Sequence, residues 1–169
     1  MEIRKITKED AAKASRIYAL SWKIAYRNIV PQNYLDSLSL DRWTPFLKDS
    51  LFDGYVLIED GEYIATTSIS PAREEEMQGW GEIISLYVLP EYFYKGYGKK
   101  LLEFAVSELK SQGFNDTFLW VLEENRQGRD FYERNNFIPN GDKTIIKIDG
   151  KELVEMRYVY NQNTKPSYK

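Results

Sequence analysis

The chain reads as an α+β domain with a mixed, mainly antiparallel sheet flanked by helices. Three observations carry that expectation. Asp60-Gly61 and Asp149-Gly150 each separate two β-rich runs, the signature of a two-residue hairpin. Between the hairpins, strand-like runs over residues 80–89 and Asp116 to Leu122 bracket one amphipathic helix. A strand–helix–strand crossover makes those two strands parallel neighbours, so the sheet holds both senses.

In order, Glu2 to Ile6 alternates and predicts a short first strand. Thr7-Lys8-Glu9-Asp10 has the form of a capping box, with Thr7 as N-cap and Asp10 reaching back. Ala14, Ile17, Tyr18, Ser21, Trp22 and Ala25 recur at helical spacing, predicting a helix to Arg27. Pro31 suits the first turn of a second helix through Leu38, and Asp41 could cap a third bearing Trp43, Phe46 and Leu47. Gly54 to Glu59 and Tyr63 to Ser70 make the first hairpin. Pro71 to Gly79 is a polar loop whose Glu74-Glu75-Glu76 run is read as solvated; bordering a site, it would favour a cationic ligand. After residues 80–89, a helix carrying Leu101, Leu102, Ala105, Val106 and Leu109 on one face stops near Gly113. Asp116 to Leu122 has the pattern of a strand covered on both faces. Asn125 caps a helix to Asn135, and Lys143 to Ile148 with Leu153 to Tyr160 form the last hairpin. Residues 1–160 are expected to form one domain and residues 161–169 a loose polar tail.

Composition narrows the chemistry. The 169 residues contain no cysteine and no histidine, which removes the usual zinc ligand sets and every Ser-His or Cys-His nucleophile. No metal is expected, and a catalytic base must be a carboxylate, lysine, tyrosine or relayed water. Net charge is −3 and no basic stripe is present, which argues against nucleic acid. No run approaches the roughly 20 apolar residues of a membrane span, and the N-terminus has no signal-peptide core, so a cytoplasmic location is expected.

The element around which the chain is organised lies after residues 80–89. Glycines at 96 and 98 precede a helix, and Lys95, Lys99 and Lys100 surround them. A helix N-terminus offers unpaired N–H groups and the positive end of its dipole, a natural seat for phosphate. The dinucleotide fingerprint is not met, because Leu101 stands where its third glycine belongs, and neither is the Walker pattern.

Two motifs bring a family into view. Phe93-Tyr94-Lys95-Gly96-Tyr97-Gly98 resembles the cofactor loop Gln/Arg-x-x-Gly-x-Gly/Ala of the GCN5-related N-acetyltransferase (GNAT) superfamily. Asn125 followed by Gly128-Arg129-Asp130-Phe131-Tyr132-Glu133-Arg134-Asn135-Asn136-Phe137 resembles its later element, Asn then Ala-x-x-Phe-Tyr-x-x-x-Gly-Phe. The order of elements matches over residues 1–160. Departures are Phe93 for Gln or Arg, Gly128 for Ala, and Asn136 for the closing glycine.

The resemblance implies acetyl-CoA as co-substrate, lying between the strands that end at Leu89 and Leu122. Its pyrophosphate would meet the amides of Tyr94, Lys95, Gly96, Tyr97, Gly98 and Lys99. Its pantetheine arm would pair with Leu86, Tyr87 and Val88, and Asn125 would touch that arm. Tyr132 stands where the family's tyrosine returns a proton to the departing thiolate. Glu82 stands where the histone acetyltransferase branch carries its base. Were its strand regular, Glu82 would share a face with Ile84, Leu86 and Val88, and an apolar setting would raise its pKa. The alternative for Glu82 is an exposed strand start or a structural ion pair. Trp22 and Tyr26 are candidates for the acceptor wall, together with Glu82. The implied activity is transfer of acetyl to a primary amine, weakly favouring a small cationic amine such as a polyamine over a protein amine. Two alternatives stay open: a non-catalytic acyl-CoA-binding module, and a purely structural domain. Exposed terminal strands could pair in a homodimer.

Overall fold

A computed structural model describes residues 1–49 and 52–160; the expected loose tail, 161–169, lies outside the described residues. Seven strands form one sheet: β1 (Glu2–Lys5), β2 (Asp53–Glu59), β3 (Glu62–Pro71), β4 (Gly81–Val88), β5 (Thr117–Leu122), β6 (Phe137–Ile148) and β7 (Lys151–Tyr160). Their order is β1-β2-β3-β4-β5-β7-β6, antiparallel throughout except for the central β4–β5 pair. The helices are α1 (Ala11–Ala25), α2 (Gln32–Ser37), α3 (Thr44–Lys48), α4 (Tyr97–Ser111) and α5 (Arg126–Arg134). None of the described helices is long and apolar enough to cross a membrane.

Both hairpins form where Asp-Gly predicts. The two loop residues have positive φ in each, 52° and 81° at Asp60-Gly61 and 47° and 80° at Asp149-Gly150, the geometry that matches strand twist. The last hairpin is longer than the sequence suggests, because β6 begins at Phe137 and absorbs a register shift between Pro139 and Lys143. Strand β7 enters between β5 and β6, leaving β6 as a largely exposed edge.

Helix α4 covers one face: Leu102, Ala105 and Leu109 pack on Ile83, Leu119, Val121 and Tyr158. Helix α1 covers the other, with Ala11, Ala14 and Tyr18 against Leu47 and Val56. Alternation along β5 separates the faces: Leu119 and Val121 pack with α4, whereas Leu122 packs with Trp22 and Tyr26 of α1.

Strand β4 is not regular. Its pairing with β3 shifts between Ser68 and Ile69, so Ser68 faces Ser85 while Ile69 faces Ile83. Ile84 is the extra residue, a β-bulge that turns over the alternation beyond it. Glu82 therefore lies on the face of Ser85 and Tyr87, not with Leu86 and Val88 as a regular strand requires. Ser85 bonds Tyr18 of α1 at 2.7 Å, and Leu86 packs in the α4-side core.

The predicted capping box is present in altered form. Asp10 accepts from the Thr7 amide at 2.8 Å and the Thr7 hydroxyl at 2.9 Å, but α1 begins a turn later at Ala11. The reason is a competing network: Arg4 donates two bonds to Asp10, at 2.6 and 3.0 Å, and Tyr63 donates a third. The Arg4 guanidinium holds the Asp10 carboxyl well below its ordinary value of 3.8, against the opposing effect of burial. Such a carboxylate stabilises the fold fully above about pH 4 and loses that contribution as pH falls further. Asp10→Ala is expected to cost roughly 2–4 kcal/mol at neutral pH in urea unfolding, with the deficit shrinking toward pH 2. A deficit unchanged by acid would exclude this account.

Candidate active site

The β4–β5 ladder stops after Gly81–Thr117, Glu82–Phe118 and Ile83–Leu119. Beyond Ile83 the strands diverge, because β3 keeps hold of β4 as far as Val88 while β7 keeps hold of β5 as far as Leu122. A cavity of about 910 Å³ fills the opening. Its walls come from β4, the loop after it, the start of α4, β5, α5 and the C-terminal part of α1. The β4 edge facing β5 has no strand partner there. Leu89 N–H turns back to Ile64 C=O at 2.9 Å, so alternation points the Leu86 and Val88 amides into the opening. Leu86, Tyr87 and Val88 all line it.

At one end stands the glycine loop. Gly96 has φ 86° and is the N-cap of α4, with no side chain capping it. Tyr94 shares the left-handed region at φ 60° and is 89% exposed. The first backbone bond after the loop is Lys100 N–H to Gly96 C=O, 3.1 Å, and among the described residues none takes the amides of 94–99. Six N–H groups thus stay open around a helix N-terminus. Gly98 is not required by crowding, since a Cβ there would make ordinary contacts of 3.4 Å to the Phe131 ring and 3.5 Å to Val88. Tyr94, Gly96, Gly98 and Lys99 line the cavity. Lys95 and Tyr97 do not; the Lys95 ammonium lies over the Tyr92 ring and Tyr97 donates to Glu59. Phe93, in place of a polar residue, lines the cavity beside them.

Across the opening, Asn125 accepts from the Gly128 amide at 3.0 Å and caps α5, which leads Tyr132 into the cavity. Burial pushes the Tyr132 phenol above its usual pKa, and the nearby Tyr26 pushes it the same way. Its ring packs against Phe131 and Phe137, while among the described residues its hydroxyl has no hydrogen-bond partner. The far end of the cavity is aromatic. Trp22 and Tyr26 from α1 line it, and Trp22 donates its indole N–H to the Tyr87 hydroxyl at 2.9 Å.

The carboxylates are arranged differently from the sequence expectation. Glu82 is 1% exposed, does not line the cavity, and is held by Arg73 through bonds of 2.6 and 3.0 Å plus the Arg73 amide at 3.3 Å. The base and acceptor-wall roles expected of Glu82 are thus replaced by a buried ion pair, because the bulge at Ile84 sets its face and Arg73 fills the space before it. Of the acidic run, Glu75 and Glu76 are exposed as expected, but Glu74 and Glu76 also accept from buried Arg157, which bonds Asp142 at 2.6 Å and stacks over Trp120. Glu155 of β7 lines the cavity instead. Burial raises its pKa; Arg73 opposes that rise, and Glu82 and Glu74 add to it. Among the described residues it makes no hydrogen bond or ion pair. Sequence reasoning passed over it, though β7 carried a signal: Val154, Met156, Tyr158 and Tyr160 are uniformly large and apolar or aromatic, whereas the alternate face bears Glu155 and Arg157.

The model of the acetyltransferase (GNAT) family matches residues 14–137, well over half the chain. The chain belongs to this family. It is an acetyl-CoA-dependent N-acetyltransferase, in keeping with its relatives. The N-acetyltransferase YuaI of Bacillus subtilis is 30% identical over 125 residues, 73% of this chain and 72% of that protein. A spermidine N(1)-acetyltransferase of Thermoplasma acidophilum is 28% identical over 166 residues, covering 94% and 98%. Among solved structures, PaiA N-acetyltransferase from Thermoplasma acidophilum in complex with coenzyme A superposes with TM-score 0.70 at 25% identity, covering 92% and 96%. A GCN5-related N-acetyltransferase from Rhodopseudomonas palustris gives TM-score 0.75 at 16% identity, covering 94% of each chain.

The open amides, the vacant β4 edge and the absent Cβ at Gly98 fit a ligand with a pyrophosphate and an amide-bearing arm. In a thermal melt, acetyl-CoA at a hundredfold excess over its Kd should add about 2.7 kcal/mol of stability. Gly96→Asp keeps a residue that tolerates positive φ but brings negative charge to the open amides. It should abolish that gain while leaving the unliganded midpoint within a few degrees; a retained gain would exclude the loop as the pyrophosphate seat.

Proposed function

We propose that this enzyme acetylates the primary amine of a small cationic acceptor, such as a polyamine, by direct attack within a ternary complex. The observation that carries the reading is the Tyr132 phenol: it faces the cavity from α5, opposite the vacant edge of β4, with no protein partner for its hydroxyl. In this reading the 94–99 amides and Lys99 hold the pyrophosphate. The Leu86 and Val88 amides hold the arm as an added strand would, and Asn125 touches it from the other wall. The Val88 amide also steadies negative charge developing on the thioester oxygen. Tyr132, kept protonated by burial, gives its proton to the leaving thiolate.

Support for a small cationic acceptor comes from the cavity lining, which includes the aromatic side chains of Trp22, Tyr26 and Tyr87 and the carboxylate of Glu155. The match along nearly the whole chain to a spermidine acetyltransferase points the same way. Nothing in the reading requires a covalent enzyme intermediate, because proximity and proton management suffice once both substrates are bound.

Tyr132→Phe removes one oxygen and no packing. It should lower kcat with spermidine by about a hundredfold, within the usual span for a general acid, and leave the acetyl-CoA thermal shift intact. Equal kcat in the two proteins would return Tyr132 to a packing role.

A further inference from the structure

Three of the carboxylates that sequence reasoning singles out are committed: Glu82 to Arg73, and Glu74 and Glu76 to Arg157. Glu155 is the acidic side chain left open at the acceptor end of the cavity. It enters from β7, opposite Leu122 of β5 and Thr144 of β6, neither of which carries a charge. The charged and titratable groups that face it are Tyr26 from α1, Arg73 and Glu74 from the loop after β3, and Glu82 from β4. Arg73 would be its natural partner, but that guanidinium already forks onto Glu82 with its Nε and one terminal nitrogen. Tyr26 joins the two halves of the cavity. Its phenol feels the charge of Glu155, and the Tyr132 phenol in turn feels Tyr26.

Glu155 is half-buried, and a carboxylate partly removed from water with no partner favours an arriving cation. Trp22, Tyr26 and Tyr87 line the same cavity and supply aromatic rings, the second half of an ammonium site. We propose that Glu155 seats the acceptor's ammonium against this aromatic wall and takes one of its protons.

This assignment rests on the amine-acetyltransferase reading above. One N–H bond of the ammonium breaks and an O–H bond forms on Glu155, freeing the nitrogen lone pair. That pair forms the bond to the acetyl carbon and the carbon–sulfur bond breaks, its electrons leaving on sulfur. The thiolate takes the Tyr132 proton, and the phenolate recovers a proton from the newly acylated nitrogen. The products are a neutral amide and a free thiol, and the proton on Glu155 passes to solvent. A carboxylate whose basicity is raised by burial suits the first transfer.

The test uses the full chain with coenzyme A bound and spermidine as the probe, following tryptophan fluorescence, since Trp22 and Trp120 both line the cavity. Glu155→Gln should weaken spermidine binding and lower kcat/KM for it by about tenfold or more, the scale of a lost charged contact. The coenzyme A thermal shift should not change, and Glu155→Asp should recover part of the loss. The gap between wild type and Glu155→Gln in kcat/KM should narrow at acid pH, where the wild-type carboxyl becomes protonated. Unchanged spermidine affinity in Glu155→Gln would overturn the assignment, and so would wild-type protein that fails to bind spermidine. Binding that depends on Glu155 with no turnover of any amine would overturn the enzymatic reading alone, leaving the ammonium site in place.

Discussion

The divergence of β4 from β5 is the constraint on which the rest depends. Parallel neighbours ordinarily pair along their full length, since a buried backbone N–H or C=O left unpaired is costly. Here each strand is held by a different antiparallel partner, β3 for β4 and β7 for β5. The bulge at Ile84 adds local twist to β4 just where the shared ladder ends. In the proposed reading the vacated edges are tolerable because a ligand completes them. The same divergence leaves room for the N-termini of both α4 and α5 at the cavity, one bearing open amides and the other capped by Asn125. Site and sheet defect are one feature.

Charge follows a related logic. Buried Arg157 draws Glu74, Glu76 and Asp142 together, tying the loop after β3 to β7 and β6. Arg73, at the start of the same loop, reaches Glu82. In each of these pairs one partner is buried and the other more exposed, so desolvation offsets part of the attraction, and removing the exposed partner strands the buried one. Their effect is to fix the loop against the sheet and to consume acidic groups that would otherwise compete for a cation. What stays open at the acceptor end is one carboxylate among aromatic rings.

Much of this was legible in the sequence, and the exceptions have physical causes. Asp-Gly loops, the amphipathic pattern after Gly98 and the covered strand before Asn125 are local signals, and each produced its element. The insertion of β7 between β5 and β6 is a long-range pairing that no local pattern encodes. The face of Glu82 was unreadable for another reason: period-two alternation assumes a regular strand, and one extra residue at Ile84 reverses it. Lys95 and Tyr97 belong to the cofactor loop by motif, yet their side chains turn to Tyr92 and Glu59, so only their amides are available to the site. Glu155 was missed because a charged residue on a terminal hairpin reads as solvent-facing until the packing of α1 and α2 over that hairpin is known.

Tyr132 and Glu155 are both pushed up in pKa by the same cause, removal from water, and the consequences differ in kind. A phenol so shifted holds its proton throughout the neutral range and would be a poor donor to a thiolate in water. Within the cavity, however, a departing thiolate is desolvated as well, which raises its own demand for the proton by the same mechanism. A carboxylate so shifted is a better acceptor, and an arriving ammonium pulls the other way, favouring its ionised form until the proton moves. In the proposed reading, one physical setting prepares an acid at Tyr132 and a base at Glu155, both lining the same cavity. No metal, histidine or covalent nucleophile is needed for that division, which accords with a chain that contains neither histidine nor cysteine.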